Sequence, residues 1–500
     1  MTHPGQVVIL GGGTAGWMAA MLFNQRWGTR GTRVTLVESK DIGIIGVGEG
    51  STPQLKHFFD TMGIAEADWM PRCNATYKTG IEFVGWSDLP GYERYFHPFP
   101  TALDGHSVPQ FFHHALLRRN GRDVPAHPDL WFVPTVLADQ RRAPLTPVNF
   151  PFETTYGYHF DSYLVGDYLR EVATARGVER FEATIADVEL VDGDIAALVA
   201  DDGRRITGDL FVDASGFRAA LIEGALGEPH ISFADNLFND SAVVMPTPVS
   251  PEGPEVATRA TALSAGWAWH IPLTSRTGNG YVYSSRYITP EEAEAELRAH
   301  VDAGPDVEAR HLKMRVGRVE RSWVRNCLAI GLAQGFIEPL EATALHIVMA
   351  TVEGFLDAVD GGGVTAKIRD DFNARIAWRY DGIRDYIACH YRAAQRRDTD
   401  YWRDATGHDH LSDDLKAIFT AWFTGQDVAA EVKRRKIDGC YSAVSWHCLL
   451  AGYGSFPDPA KLRPVEPNIR TADMDEMARF VHGCALNYPM HTDALAKLSA

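Results

Sequence analysis

Three glycines spaced as Gly11-x-Gly13-x-x-Gly16 follow a short apolar run and precede a helix-forming segment. Such a turn lets the backbone approach a pyrophosphate closely and aims amide hydrogens and a helix N-terminus at its charge. Glu38 stands about 20 residues further on, where a carboxylate accepts hydrogen bonds from a ribose hydroxyl; an acid there suits FAD or NAD but not a 2′-phosphate. The residues predicted to bind a dinucleotide are Gly11, Gly13, Thr14, Ala15, Gly16 and Glu38.

A second glycine-rich segment, Gly46-Val47-Gly48-Glu49-Gly50-Ser51-Thr52-Pro53, follows directly. Its flexible backbone and the proline-started element after it would allow it to lie against a flat ring system. A surface glycine loop is the alternative interpretation. Asp213-Ala214-Ser215-Gly216, at the end of a later apolar run, is similar to the second cofactor motif of FAD monooxygenases.

Three further features complete the pattern: Gly266-Trp267-Ala268-Trp269-His270-Ile271-Pro272, Gly335-Phe336-Ile337-Glu338-Pro339-Leu340-Glu341-Ala342-Thr343-Ala344, and Lys78. Together with the glycine turn they resemble the flavin-dependent halogenases of the tryptophan halogenase family. The resemblance covers nearly the whole chain, and it favours FAD over NAD because the segment from Gly46 to Pro53 is similar to the strap that follows the flavin in that family. Gly48 and Glu49 are therefore added to the predicted cofactor contacts.

Lys78 matches the catalytic lysine of the family, which lies between flavin and substrate at the end of a tunnel. Its local sequence alone, Ala75-Thr76-Tyr77-Lys78-Thr79-Gly80, would instead be typical of a solvated surface lysine. In the role that the resemblance implies, the amine either hydrogen-bonds hypohalous acid or forms a haloamine with it. Both possibilities stay open at this stage.

Glu341 matches the active-site glutamate of the family, and a structural salt bridge is its alternative role. Electrophilic substitution passes through a cationic ring intermediate, which a nearby carboxylate stabilises before removing the ring proton. Thr343 and Ala344 fall where the family binds chloride or bromide through backbone amides. The family commonly has glycine at the second of these positions, so Ala344 departs from the pattern.

Other positions are assigned by the same resemblance. Leu332, Leu345 and Ile185 match flavin contacts, whereas Trp267 and Trp269 are given a structural, gating role. His97 and Phe99 match the pair that sandwiches the indole ring of the substrate, and flat rings hold an electron-rich arene by stacking. A proline-bounded aromatic turn without a ligand is the alternative for this pair.

The C-terminal region departs from tryptophan halogenases. They carry a tyrosine pair and a glutamate that hold the charged groups of the amino acid, and neither feature is recognisable in the stretch from Lys436 to Trp446. Free tryptophan is therefore a doubtful substrate. A core role is favoured for Trp446 over a place in the substrate pocket.

The elements that must position these residues indicate an α/β protein. The strand, glycine turn, helix and acid-tipped strand at the start form a Rossmann-like βαβ unit. Apolar runs Val188–Val191, Ile195–Val199 and Ile206–Val212, separated by Asp-Gly dipeptides, predict a β-meander. We therefore expect an FAD-binding domain of the glutathione-reductase type, with a mainly helical substrate module.

The FAD-binding core is expected at residues 1–355, interrupted by substrate-facing segments near 70–155 and 226–320, and the helical module at 356–500. Its nucleotide-binding part would be assembled from the first ~60 residues and blocks near 160–225 and 320–355. Apolar residues recurring every three or four positions predict one long helix after Gly361-Gly362-Gly363. Thr289 and Thr471 are predicted to cap two further helices.

Composition limits the partners. The net charge of −17 opposes binding to nucleic acids or anionic lipid, which needs clustered Lys and Arg. The six cysteines show no Cys-x-x-Cys spacing, and no segment is long and apolar enough for a membrane span, so a cytoplasmic location is expected. No metal site is predicted, because His408-Asp409-His410 is typical of a solvated loop.

The resemblance implies a two-component enzyme that receives FADH2 from a separate flavin reductase and halogenates a small aromatic molecule of the indole type. Two alternative functions are also consistent with an FAD-binding chain. One is a single-component FAD-dependent aromatic monooxygenase that uses NAD(P)H directly. The other is a non-catalytic flavin-binding protein.

Overall fold

The computed structural model describes residues 3–40, 48–462 and 470–498. In chain order its strands are β1 (Gln6–Leu10), β2 (Arg33–Glu38), β3 (Gly48–Gly50), β4 (Thr76–Lys78), β5 (Gly80–Val84), β6 (Arg94–Pro98), β7 (Gly157–Asp161), β8 (Glu179–Glu182), β9 (Ile185–Val191), β10 (Asp194–Ala200), β11 (Arg205–Thr207), β12 (Leu210–Asp213), β13 (His230–Ser232), β14 (Ser241–Thr247), β15 (Ala257–Leu263), β16 (Gly266–Pro272), β17 (Thr277–Tyr283), β18 (Arg310–Lys313), β19 (Gly317–Val319), β20 (Trp323–Val324), β21 (Cys327–Ala329) and β22 (Gly335–Phe336).

The α-helices are α1 (Thr14–Trp27), α2 (Gln54–Thr61), α3 (Glu66–Trp69), α4 (Val108–Arg119), α5 (Val133–Asp139), α6 (Ser162–Ala175), α7 (Pro290–His300), α8 (Ala344–Gly362), α9 (Ala366–Ala393), α10 (Asp400–Gly407), α11 (Asp413–Phe423), α12 (Val428–Arg435), α13 (Ala443–Gly452), α14 (Met474–Ala485) and α15 (His491–Leu498).

The chain divides into two compact units. Unit 1 comprises residues 1–75, 160–234 and 315–381, and unit 2 comprises residues 76–159, 235–314 and 382–500. The three blocks expected for nucleotide binding lie inside the ranges of unit 1. Residues 356–381, expected in the helical module, also belong to unit 1.

Unit 1 is built on a six-stranded sheet in the order β20-β21-β12-β1-β2-β8. All neighbours pair in parallel except β20 and β21. The central strand β1 is buried from Val7 onward, as the continuous apolar run predicts for a parallel sheet covered on both faces. The carboxyl ends of β1 and β12 lie side by side, with Leu10 opposite Asp213.

Helix α1 connects β1 to β2 and is apolar over most of its surface, with nine buried residues from Gly16 to Trp27. A helix that is apolar all round must be covered on more than one side. It contacts the sheet, α6 and α8, which surround it within unit 1. This packing fixes the direction in which its N-terminus points.

The predicted meander is present as the antiparallel sheet β9-β10-β11. Its apolar face, including Ile195 and Leu198, packs with Val8 and Phe211 of the main sheet in one buried cluster. The prediction that Ile206 to Val212 forms one continuous strand of the meander was wrong. It divides into β11 in the meander and β12 in the main sheet, because Gly208 lies against Val8 where the chain changes sheet.

Unit 2 contains a seven-stranded sheet in the order β18-β14-β17-β16-β15-β5-β6. Every pairing in it is antiparallel except that of β15 with β5. Strand β4, directly before β5, leaves this sheet and pairs antiparallel with β7. The chain thus turns between Lys78 and Gly80.

The predicted long helix is α9, and Thr289 caps α7 through a capping box with Glu292. The prediction that Thr471 caps the later helix was wrong. Asp473 is the cap of α14, since its carboxylate accepts hydrogen bonds from the backbone N–H groups of Asp475 and Glu476. An aspartate is as good a cap as a threonine, and local sequence alone did not separate the two.

Candidate active site

The glycine turn at the end of β1 has no room for side chains. Gly11 has φ +120°, and a Cβ on it would lie 2.1 Å from the carbonyl oxygen of Ala214. A Cβ on Gly16 would lie 2.0 Å from the oxygen of Gly11, and one on Gly12 would lie 1.7 Å from Glu38 Oε2. These close approaches leave a bare backbone surface at the carboxyl end of β1.

Helix α1 begins at this surface. Its cap residue Gly13 offers no side-chain oxygen to the first-turn N–H groups, and the first turn contains no acidic residue. Those N–H groups and the helix dipole therefore remain available to an anionic ligand. Glu38 ends β2 beside them, with Oε1 accepting a hydrogen bond from Arg180 Nε at 2.5 Å. This arrangement fits the pyrophosphate and ribose of a dinucleotide.

Asp213 shapes the loop opposite the glycine turn. Its buried carboxylate accepts hydrogen bonds from the N–H and hydroxyl of Ser215 and from the N–H groups of Leu221 and Ile222. Burial raises the pKa of this carboxyl, and the hydrogen bonds from Ser215 oppose that shift. The aspartate thereby fixes Ala214, the residue that closes on Gly11.

Glu49 lies on β3, and its half-buried side chain makes a hydrogen bond with Ser162 at the start of α6. Burial raises the pKa of its carboxyl to about 7, and nearby Asp161 adds to the shift while Ser162 opposes it. A carboxyl of this kind changes charge near neutral pH. Gly46 and Val47, in the predicted strap, lie outside the described residues.

The turn formed by Gly331–Ala333 lies against α1. Gly331 has φ +57°, and a Cβ on it would lie 3.0 Å from that of Ala15. Leu332 is thus held in a turn directly beside the predicted pyrophosphate site, half-buried. Ile185 is 8% exposed and belongs to the buried cluster under the meander.

A tight turn, Pro339–Glu341, precedes α8. Glu341 is 5% exposed. Ala342 then adopts the left-handed conformation with φ +55°, which redirects the chain into the helix. Thr343 is buried in front of α8 and Ala344, its first residue, is exposed. Oriented N–H groups at such a turn and helix start form an anion-binding concavity. Leu345 is half-buried in the first turn.

In unit 2, Lys78 ends β4 with a completely buried side chain, 0% exposed. Its ammonium nitrogen lies 5.5 Å from the centre of the Phe99 ring. The pairing of β5 with β6 brings these residues together, because the Phe99 N–H donates to the Thr79 carbonyl oxygen at 2.8 Å. The two residues lie at the same end of this pairing.

His97 lies opposite Ile81 on the same strand pair and is 5% exposed. Its ring meets Tyr386 of α9 nearly edge-on, with 6.3 Å between the ring centres. Tyr386 in turn stacks on Tyr441 at 3.6 Å and contacts Trp446 edge-on at 4.9 Å. His97 thus lies in a group of packed aromatic rings.

Trp267 and Trp269 lie on one face of β16, with ring centres 6.2 Å apart. Both are buried. The ring of Trp269 covers Gly280 on the neighbouring strand so closely that a Cβ there would lie 2.1 Å from it. The gating role assigned to the two tryptophans stays a prediction.

Two residues near Lys78 were missed by the sequence analysis. His159 accompanies β4 on the paired strand β7, and His491 reaches β4 from α15. Neither carries a signal in the sequence, since no motif or spacing links position 78 to 159 or 491. Only the alternation of Tyr156-Gly157-Tyr158-His159-Phe160 could have placed His159 on a strand.

Among the residues that the structure describes, no helix combines the length and apolar character needed to cross a bilayer. Within the same ranges, no three His, Cys, Asp or Glu side chains gather to hold a metal ion.

Comparison with known proteins identifies the family. The family model described as tryptophan halogenase matches residues 6–465. Tryptophan 6-halogenase SttH from Streptomyces toxytricini is 40% identical over 433 residues, covering 80% of this chain and 81% of that protein.

Two solved structures share the fold. The crystal structure of SttH superposes with a TM-score of 0.85 at 34% identity, covering 98% of this chain and 99% of that one. BrvH, a flavin-dependent halogenase from a Brevundimonas species, gives a TM-score of 0.84 at 31% identity and covers 100% of both chains. The chain therefore belongs to the tryptophan halogenase family, and it is a flavin-dependent halogenase.

Proposed function

We propose that this enzyme uses O2, chloride or bromide, and FADH2 from a separate flavin reductase to halogenate an electron-rich aromatic molecule of the indole type. The observation that carries the proposal is Lys78, a completely buried ammonium facing an aromatic ring. Burying a charged side chain is costly, and side chains of this kind are common where a protein carries out chemistry.

When bound, reduced FAD would supply two of the four electrons that O2 takes up, and halide would supply the other two, which yields hypohalous acid and water. The bare turn around Gly11 and the N-terminus of α1 hold its pyrophosphate, and Glu38 holds its ribose. The other residues proposed to contact FAD are Gly13, Thr14, Ala15, Gly16, Gly48, Glu49, Ile185, Leu332 and Leu345.

The backbone N–H groups of Thr343 and Ala344, at the start of α8, bind the halide ion. A methyl group at Ala344 restricts the approach to these amides compared with glycine. We therefore propose a weaker hold on halide than a glycine at this position would allow.

Lys78 presents hypohalous acid to the arene. Its ammonium polarises the oxygen of the acid, so that the halogen becomes more electrophilic. The ring carbon forms its bond to halogen as the halogen–oxygen bond breaks, and the departing hydroxide takes a proton from the Lys78 ammonium and leaves as water. Glu341 stabilises the cationic ring and accepts the ring proton.

His97 and Phe99 hold the arene by stacking. Because no charged group for an amino-acid carboxylate or ammonium was recognised near the C-terminus, we propose that indole, or a larger indole-bearing molecule, is preferred over free tryptophan. A missing charged clamp forfeits charge-assisted hydrogen bonds, each worth about 1.5–3 kcal/mol, or roughly tenfold or more in affinity.

The decisive experiment combines the protein with FAD, NADH, a flavin reductase, O2, bromide or chloride, and indole. Halogenated indole is expected only in the complete mixture, and omission of the halide or the reductase should abolish it. Rapid reduction of flavin by NADH without the reductase would overturn the two-component proposal and favour a single-component monooxygenase.

Substrate preference is measured by competition between equal concentrations of indole and tryptophan, with each halide in turn. Indole should be converted faster. A clear preference for tryptophan, with a single-position product, would show that other residues of this chain replace the missing clamp.

A further inference from the structure

Lys78 is preceded by two residues whose polar groups are each bound by a buried histidine. His159 Nδ1 lies 3.0 Å from the Thr76 hydroxyl, and His491 Nε2 lies 3.2 Å from the Tyr77 backbone nitrogen. Strand β4 is only three residues long, so pairing with β7 alone holds it weakly. The two histidines add anchors from β7 and from α15, elements far apart in the chain.

The hydrogen-bond directions around His159 follow from its neighbours. The Thr76 hydroxyl donates its single hydrogen to the Pro272 carbonyl oxygen at 2.7 Å, so it must accept from His159 Nδ1–H. In a neutral ring Nε2 is then an acceptor, and the Thr258 hydroxyl, 3.0 Å away, donates to it. The chain of bonds therefore runs in one direction, from Thr258 to Pro272.

His491 is held in the same tautomer. Its Nε2 accepts from the Tyr77 N–H, while Nδ1–H donates to the Pro254 carbonyl oxygen at 2.9 Å. If Nε2 of His491 carried a proton, its N–H would point at the backbone N–H of Tyr77, and two donors cannot form a hydrogen bond. Burial lowers the pKa of His491 to about 4, and burial together with the Lys78 charge lowers that of His159 well below its usual value. Both rings are therefore neutral at physiological pH.

We propose that His159 and His491 are positioning residues of Lys78, which they anchor as neutral imidazoles through Thr76 and Tyr77. This inference rests on the proposed function of Lys78. Displacement of a reacting group by about 1 Å can cost on the order of 100-fold in rate, so loosening β4 should affect the transfer of halogen. The expected symptom is loss of hypohalous acid to solution, with flavin reoxidation unaffected.

Four isosteric substitutions separate anchoring from simple packing. Asparagine places its amide near the Nδ1 position of histidine, and glutamine near the Nε2 position. His159→Asn therefore keeps a donor for Thr76, whereas His159→Gln loses it. At the other site His491→Gln keeps an acceptor for Tyr77, whereas His491→Asn loses it. The variant that keeps the anchoring hydrogen bond is therefore asparagine at position 159 and glutamine at position 491.

The main measurement is the fraction of reoxidised flavin that appears as halogenated product, recorded on soluble protein beside its thermal midpoint. His159→Gln and His491→Asn should lower this fraction at least about tenfold, and their counterparts by less than about threefold. Thr258→Val, which leaves both histidines intact, should have an intermediate effect. His447→Phe, at another buried neutral histidine of unit 2, is the control and should leave the fraction unchanged.

A second measurement does not need the reaction. Acylation of Lys78 by an amine-reactive ester, followed by mass spectrometry, should be several-fold faster in the two variants that lose an anchor. If the wild-type protein makes no halogenated product but this order of labelling is found, the proposed function fails and the anchoring stands. The anchoring is overturned if the asparagine and glutamine variants behave alike at each position in both measurements. It is also overturned if the same one of the two residues is better at both positions, because side-chain size would then explain the result.

Discussion

The Lys78 ammonium is removed from water at the end of a short strand, with an aromatic face 5.5 Å away. Desolvation of such an ion costs several kcal/mol, even after the surrounding groups relax. An aromatic ring returns part of this cost. The catalytic role proposed for the amine offers a reason to keep this charge out of water.

Lys78→Met should abolish halogenation, because the thioether fills the buried site but offers no donor to hypohalous acid. Flavin reoxidation by O2 should continue, and hypohalous acid should escape to solution. Product and released hypohalous acid are measured in the same reaction, with Lys313→Met, an exposed lysine on β18, as control. Halogenation at near wild-type rate in the Lys78 variant would remove this residue from the mechanism.

Glu341→Gln should lower the rate of product formation by about 100-fold or more, since a neutral amide neither accepts the ring proton nor stabilises the cation. The KM for the arene should change little. Single-turnover kinetics with deuterated indole would check the assignment, because proton removal should then become partly rate-limiting and produce an isotope effect. A variant with unchanged rate would make Glu341 a structural residue only.

At Lys78 and Glu341 the sequence identified the residues themselves but did not predict which side chains surround them. The local sequence of Lys78 is typical of an exposed lysine, and only the resemblance pointed to catalysis. Its burial depends on β7 and β6, which no pattern near position 78 encodes. His159 and His491 were missed for the same reason, since contacts across 83 and 414 positions are not visible in local spacing.

Among the secondary-structure elements, the β5–β6 pair brings the predicted arene-binding residues beside Lys78. Gly80 permits this approach, because a Cβ on it would lie 2.2 Å from the His97 carbonyl oxygen and 2.6 Å from the Phe96 ring. The strands would have to separate to admit even one methyl group. The glycine thus determines the distance between Lys78 and Phe99.

Gly80→Ala should therefore weaken binding of the arene as well as lower stability by about 1–3 kcal/mol, the range for an overpacked site. The expected result is a higher KM for indole and more hypohalous acid lost to solution per molecule of product. Gly105→Ala, where nothing lies within 4 Å of the added Cβ, is the control. Equal effects of both substitutions would argue against a special role for the β5–β6 contact.

The elements themselves were largely predictable where a local pattern is strong, namely the glycine turn before α1, the apolar periodicity of α9 and the Asp-Gly turns of the meander. The residues at which strands and helices begin and end were less predictable. Nothing in the run from Ile206 to Val212 signals that the chain passes from one sheet to another, because that change depends on the packing of Gly208 against Val8. The cap of α14 was misplaced by two residues for a similar reason, since Thr471 and Asp473 are both good caps.

For the whole molecule, buried and half-buried histidines determine part of the response to acid. Burial lowers the pKa to about 4 in four of them, namely His127, His346, His447 and His491. Since the unfolded value is about 6.5, such a group supports the folded state fully above that pH and loses its contribution as the pH falls towards 4. Buried carboxyls with raised pKa, such as Asp129 at about 7, act in the opposite direction.

A single histidine isolates the effect. His447 stacks on Phe112 at 3.9 Å and donates to the Ala443 carbonyl oxygen at 2.7 Å. His447→Phe cannot be protonated, so the wild-type protein should lose stability relative to the variant between pH 6.5 and 4. Urea unfolding at several pH values measures the difference in free energy of unfolding between the wild type and the variant. The other titrating groups are the same in both proteins, so their contributions cancel. A difference independent of pH would show that His447 titrates normally.

The order of the strands in unit 1 also has a consequence for how the protein is made. Strand β1 leaves the ribosome first, yet its neighbour β12 arrives about 200 residues later, and β12 is covered only when β21 is complete. At roughly 5–20 residues per second, the central sheet waits some 15–65 seconds for its last parallel strand. During that time an apolar edge is open to other nascent chains. Additional chaperone during synthesis should therefore increase the yield of soluble enzyme.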